Sequence, residues 1–415
     1  MIKIIASQLR HTFGNLRAIK GNSRGCLIAE PLWLLPFRLY ASYTSLYMLA
    51  LDISASQIGM IATINVGFQV FFALTGGFIT DKLGRRRTTL IFDLISWSLP
   101  TLLWAFAHNI MYFIVGAILN SLVRIVYTSW NCLIIEDTPE KQRVHVYSFV
   151  GVAATLTGFV SPVAGIVVAR FGLVSSVRGL YLFAFLCMTT MFILRNALTT
   201  ETKIGLQRME ESRGVTILDS IKEYGTVFRG VVNNKLLVMT LVLMVTHNIH
   251  LLLKTTFLSI VLRNGIGLSL QTIAVVPAVH SAIMLVTLFV LMPALSKKGS
   301  GFSLFLALTC ASVSTLILVI APEGSVVLVM ISTVLGGFGM AIKYPFIEST
   351  IANLVDERSR AKTMSLIFTL VLVTSSPFGI LGGVLASHSP RLPYLLLLAV
   401  QGIGIIMAFT LKRRL

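Results

Sequence analysis

The apolar residues of this chain fall into twelve runs of about 20 residues each, near 26–50, 58–80, 88–107, 111–135, 146–169 and 179–195, then 235–261, 272–295, 302–321, 325–352, 363–386 and 391–411. A run of that length matches the thickness of a bilayer's hydrocarbon core when helical. Inside hydrocarbon the backbone must satisfy its own hydrogen bonds, which leaves helices as the structure for such runs. Charge supports the same conclusion. Only 12% of the residues are charged, against about 25% in soluble domains. The chain therefore reads as an all-α polytopic membrane protein.

The formal net charge of +18 could point to nucleic acid, but the positions of the basic residues argue against it. They gather in alternate loops: Lys82, Arg85, Arg86 and Arg87 after the second run, Lys141 and Arg143 after the fourth, Lys297 and Lys298 after the eighth, and Arg358 and Arg360 after the tenth. Lys412, Arg413 and Arg414 end the chain, while the opposite loops hold only Arg170, Arg178, Arg263 and Arg391. This asymmetry predicts both termini in the cytoplasm. Cys26, Cys132, Cys187 and Cys310 stand singly, with no metal-ligand or disulfide spacing.

Polar stretches divide the chain further. In residues 1–24, Ile4, Ile5, Leu9, Phe13 and Leu16 recur at helical spacing among basic residues, which predicts an interfacial amphipathic helix rather than a cleavable signal. The long polar segment within 196–231 places Ile217, Leu218, Ile221, Tyr224 and Phe228 on one face and predicts a cytoplasmic linker with its own amphipathic helix. It separates a first six-helix bundle, 25–195, from a second, 232–415. A faint repeat links the halves: Arg143 to Ser148 and Arg360 to Ser365 share the spacing Arg-x-x-x-x-Ser, and "SPVAG" and "SPFGILGG" follow in the same order. Two repeated halves of this size predict pseudo-symmetric bundles with a site between them near the membrane midplane.

The segment "GGFITDKLGRRRTTL" joins the second and third runs on the basic side. With Gly77, Asp81, Lys82, Gly84, Arg85 and Arg86 in place, it resembles the signature of the major facilitator superfamily, Gly-x-x-x-Asp-(Arg/Lys)-x-Gly-(Arg/Lys)-(Arg/Lys). The resemblance implies the twelve-helix fold, transport by alternating access, and a gating role for this loop through contact with the other half in the outward-open state. Physically, Gly77 would let the second helix approach a neighbour, Gly84 would allow the tight turn, and Asp81 would sit among cations and helix ends. The matching loop of the second half keeps Lys297 and Lys298 but has no acid.

Charges within the runs need a reason, since one at mid-bilayer costs about 2.5–3.5 kcal/mol even on the mild insertion scale. Arg38 lies about 12 residues, roughly 18 Å, from either end of its run. Arg124 is similarly central, with Tyr127 and Asn131 on its face. His247, His250 and Lys254 share a face of the seventh run, and Lys343 lies in the tenth. In the family resembled, the first, fourth, seventh and tenth helices line the central cavity, so these eight residues are the expected substrate site. One reading is a cationic cavity for an anion. The other is that Arg38 or Arg124 pairs with Glu30, Asp93 or Glu348 and fixes packing. Those three carboxyls are also the candidates for carrying a coupled proton, Glu30 first among them, with His247 and His250 behind. His280, alone in the eighth run, reads as a hydrogen-bonded packing residue.

The expected function is secondary-active transport of a small anionic or amphipathic solute, coupled to protons. Proton-coupled efflux of drugs or lipophiles is the alternative, and a non-transporting sensor or lipid-binding protein the third. No nucleophile–base or metal constellation and no phosphate-cradling loop appear, so neither an enzyme nor a cofactor or metal is expected. Partners are the solute, protons and membrane lipids, without nucleic acid; the setting is a bacterial cell membrane and the state a monomer.

Overall fold

The computed structural model describes residues 19–214, 231–354 and 360–412. The interfacial helix expected before residue 19, the linker helix around Ile217–Phe228, and Arg413 and Arg414 lie outside the described residues, as do the side chains of Glu348, Arg360 and Ser365. Among the described residues every regular element is helical. Eleven helices are long and apolar enough to cross a membrane. They are the second to twelfth spans: Ala55–Leu83, Arg85–Ala105, Ile110–Ile135, His145–Phe171, Leu173–Leu198, Lys235–Gly265, Leu270–Leu295, Gly301–Ile320, Val326–Ile347, Leu366–His388 and Leu392–Leu411.

The first expected span is helical but in three pieces, Gly21–Ala29, Pro31–Ala41 and Thr44–Ala50. Pro31 has no N–H to continue the preceding ladder, so the chain restarts there with proline at the first helical position. With this broken span the count is twelve. The third and eighth spans also adjust around proline, by π-turns at Leu94–Ser98 and Thr287–Leu291 just before Pro100 and Pro293. The sixth span starts at Leu173, earlier than the expected 179. Polar Ser175, Ser176 and Arg178 looked like loop, but Arg178 donates to the Ala107 carbonyl at 2.9 Å and to the Tyr47 hydroxyl, so helix accommodates it.

Each bundle packs its own six spans: the first on the sixth, and the second and third on the fourth; then the seventh and ninth on the twelfth, and the ninth on the tenth. The turn glycines of the two halves match, Gly84 at φ 84° and Gly299 at φ 83°, a conformation side chains rarely adopt. The bundles meet where the second span packs on the eleventh, the fifth on the eighth, and the outer piece of the first on the seventh.

These contacts lie toward the end away from the Gly84 turn, called the far end below. There Tyr43 donates to the Leu270 carbonyl at 2.7 Å, Ser45 to Thr256 at 2.6 Å and Ser161 to Ala274 at 2.8 Å. Gly59 faces Gly379 and Gly383 so closely that a Cβ on Gly383 would meet the Gly59 Cα at 3.0 Å. Thr63 is unusual: its hydroxyl donates to the Ser376 carbonyl at 2.9 Å and accepts the Ile380 N–H at 2.8 Å. Ser376 and Ile380 are four apart, so a hydroxyl from one bundle occupies a helical hydrogen bond of the other. Among the described residues, every hydrogen bond recorded between the bundles belongs to this set. Two far-end arginines cap carbonyls: Arg391 holds Gly265 at 2.8 Å and Ala321 at 2.7 Å, and Arg263 holds Leu268 at 2.9 Å.

Candidate functional site

Below the far-end closure, at mid-depth, basic side chains from four spans converge. Lys254 Nζ on the seventh span lies 3.1 Å from His280 Nε2 on the eighth. His280 in turn lies in the field of Arg38, from the first bundle. His250 is buried and hydrogen-bonded through Nδ1 to Gln401 at 2.8 Å, and it lies in the field of Lys343, Lys254, His247 and His280. Lys343 on the tenth span is 0% exposed, and its ammonium has no hydrogen-bond partner among the described residues. Arg38 donates through Nη2 to the Ala154 carbonyl at 3.1 Å, while its buried Nε has none. Among the described residues no carboxyl pairs with any of these groups.

Long helices place these groups. Pro36 lies inside the middle piece of the first span, where it withholds a ladder N–H, and Arg38 reaches from this piece to the fifth. On the seventh, the spacing of His247, His250 and Lys254 keeps the three on one face, toward the eighth, tenth and twelfth spans. Converging lysine and arginine donors of this kind suit charge-assisted hydrogen bonds.

The two described acids expected near these bases, Asp93 and Glu30, lie elsewhere. Asp93 is ion-paired with Arg195 at the end of the sixth span, both nearly inaccessible. Glu30 is buried beside that pair, with one carboxylate oxygen unpartnered. Near it Trp33 and Phe37 stack at 5.1 Å, and both meet Trp97 of the third span edge-on, at 4.9 and 5.9 Å. Neither described carboxyl pairs with Arg38 or Arg124. Arg124 instead donates to Gln69 at 2.7 Å; Gln69 bonds Asn65, and Asn65 bonds Asn120, a neutral chain through the second and fourth spans. Tyr127, half-exposed, and Asn131 continue that face, with Tyr147 donating to Asn131 at 3.1 Å.

The motif loop is held by two carboxylates that the sequence reading did not single out. Glu201, just past the sixth span, accepts the backbone N–H groups of Arg85 and Arg86, each at 3.0 Å. It thus caps a helix whose own N-cap, Gly84, has no side chain to do so. Glu136 takes Arg85 Nε at 3.0 Å, and Arg85 also pairs with Asp81 at 2.9 Å. Arg86 donates to the Asn196 carbonyl at 2.8 Å, and Lys82 lies over the Phe78 ring at 5.1 Å. The close helix approach expected at Gly77 falls one residue earlier. A Cβ on Gly76 would sit 3.3 Å from the Ile125 Cα, whereas one on Gly77 would meet nothing within 4 Å. Every partner of the loop just named belongs to the first bundle or the segment after it.

Arg195, Glu136 and Glu201 escaped the sequence reading because they sit at run ends, where charge is ordinary. Gln401 and Gln69, polar within apolar runs, were the detectable signals.

A family model described as Major Facilitator Superfamily matches residues 34–324. Among curated proteins, an uncharacterized MFS-type transporter, YqjV of Bacillus subtilis (strain 168), is 27% identical over 126 residues. That stretch is 30% of this chain and 30% of the relative's length. Among solved structures, the nucleoside transporter NupG superposes with a TM-score of 0.71 at 13% identity, covering 95% of this chain and 100% of that one. The POT family transporter PepTSo gives 0.68 at 14% identity, covering 95% and 97%. The xylose transporter XylE from E. coli gives 0.64 at 11%, covering 94% of each chain. At these identities the likeness is one of fold.

Proposed function

The chain belongs to the major facilitator superfamily, and we propose that the solute it moves across the membrane is a small anion, taken up between the bundles and coupled to protons. The observation that carries this reading is Lys343: a fully buried amine with no described partner, in the field of Lys254 and acting on His247 and His250. A buried charge left unpaired costs several kcal/mol, which a bound counter-charge relieves. Arg38 supplies the matching donor from the first bundle, so an anion held between Arg38 and the Lys254–Lys343 side touches both halves. Such a ligand interacts differently with the open and closed arrangements, as alternating access requires.

The far-end contacts support an arrangement closed there and open toward the motif loop. With the basic loops on the cytoplasmic side, that is inward-facing. The open space beside Gly77 is then the surface the second bundle would cover in the outward-facing state. The protein is assigned to the cell membrane of a bacterium, as a monomer.

Reconstitution into liposomes tests the reading. Uptake of an anion that is lost in Arg38→Gln and Lys343→Gln, and stimulated by an inward proton gradient, is expected. Transport confined to neutral lipophiles and indifferent to both substitutions would overturn it.

A further inference from the structure

We propose that Lys254 and His280 form one proton-and-anion site, at which an arriving anion frees the imidazole nitrogen to take up a proton, so that the two travel together. This rests on the anion reading above. A charged lysine is a donor only, so its hydrogen bond to His280 at 3.1 Å uses the lone pair of Nε2. With Lys254 charged and His280 neutral, the pair holds one positive charge between two basic groups.

The surroundings give that charge no described counterion. Arg38 faces it from the first span, His247 and His250 lie on its own helix, and Lys343 faces it from the tenth. The other neighbouring spans bring neutral groups: Ser161 and Gly158 from the fifth, Ser375 beside Asn248 from the eleventh, and Gln401 from the twelfth. An anion bridging Arg38 and Lys254 would draw the ammonium onto itself. The Nε2 lone pair, released, takes a proton from a buffer acid of the medium, whose conjugate base stays in solution, and the new N–H donates to the anion. Charge then balances, with the added proton offsetting part of the anion's negative charge.

The fold also gives this nitrogen a route to the far side. His280 precedes Ser281, whose hydroxyl fills the notch at Gly158 where the fifth and eighth spans close the far end. Separation of those spans would uncover His280 from the far side. The coupling is therefore symport, and it uses neither Glu30 nor Asp93.

Isothermal titration of the purified protein with sodium sulfate tests this, because sulfate stays doubly charged and carries no proton of its own near neutral pH. Run in two buffers of different ionisation enthalpy, the wild type is expected to take up about one proton per sulfate bound. Its affinity should fall toward tenfold per pH unit as pH rises, since binding takes up a proton. His280→Gln keeps a hydrogen-bonding group beside Lys254 and is expected to bind sulfate without proton uptake, whereas Glu30→Gln keeps the uptake. Proton uptake that survives in His280→Gln or disappears in Glu30→Gln would overturn the assignment. Sulfate binding to the wild type with a flat pH profile would overturn it too, yet leave the anion reading standing. Absence of any sulfate binding to the wild type would remove both.

Discussion

Lys343 and Arg195 are both buried cations in apolar helices, and their settings predict opposite consequences when each is replaced by methionine. Arg195 has Asp93 as its ion-pair partner. Arg195→Met leaves that carboxylate buried and uncompensated, at a cost of about 3–5 kcal/mol. Its thermal unfolding midpoint in detergent should fall sharply. Lys343 has no described partner to abandon. Lys343→Met should keep or raise the midpoint while reducing anion binding, a separation that marks a group kept for function. Arg38→Gln should weaken anion binding roughly 10- to 100-fold, the equivalent of one charge-assisted hydrogen bond, measured by titration. Arg38 was visible in the sequence as a lone charge deep in an apolar run. The Lys254–His280 contact was not, because no periodicity connects residues on two separate helices.

At the level of elements, the motif loop and the far-end closure are built differently and should fail differently. The loop hangs on Glu201 and Glu136, which cap the third span and hold Arg85. Glu201→Gln keeps the shape but removes the charge, and should cost about 1 kcal/mol, seen as a lower unfolding midpoint with unchanged anion affinity. The closure instead rests on hydroxyl-to-carbonyl bonds and glycine contacts. Thr63→Val removes the hydroxyl lying between Ser376 and Ile380, and those two groups can then bond each other as in any helix. The cost to the fold is therefore small, but the bond between bundles is gone. Spin labels or cysteine probes at the far end should report wider separation in Thr63→Val. Unchanged separation would show that the hydroxyl bond does not hold this end shut. The apolar runs gave these helices to within a few residues at most ends. They could not give the break at Pro31 or the early start of the sixth span, where a proline and an internally satisfied arginine decide the boundary.

For the molecule as a whole, the same asymmetry of loops that marks the membrane sides also separates two kinds of arginine. Those at the far end, Arg263 and Arg391, are engaged with backbone carbonyls. Those near the motif, Arg85 and Arg86, tie together the second, third, fourth and sixth spans. Both sets are engaged within the protein, whereas Arg38, Lys254, His280 and Lys343 at mid-depth have no carboxyl partner among the described residues. The family and its twelve helices were readable from runs and one loop. The pairing of Asp93 with Arg195, which takes that acid away from the mid-depth bases, needed the packing of the first bundle. Uptake into proteoliposomes measures the central claim most directly, with matched panels of carboxylates, phosphate esters, neutral solutes and organic cations. The account predicts accumulation of at least one anion by the wild type, lost in Arg38→Gln and Lys343→Gln, with no neutral or cationic solute accumulated. Accumulation of a neutral or cationic solute that both substitutions leave intact, with no anion moved, would contradict it.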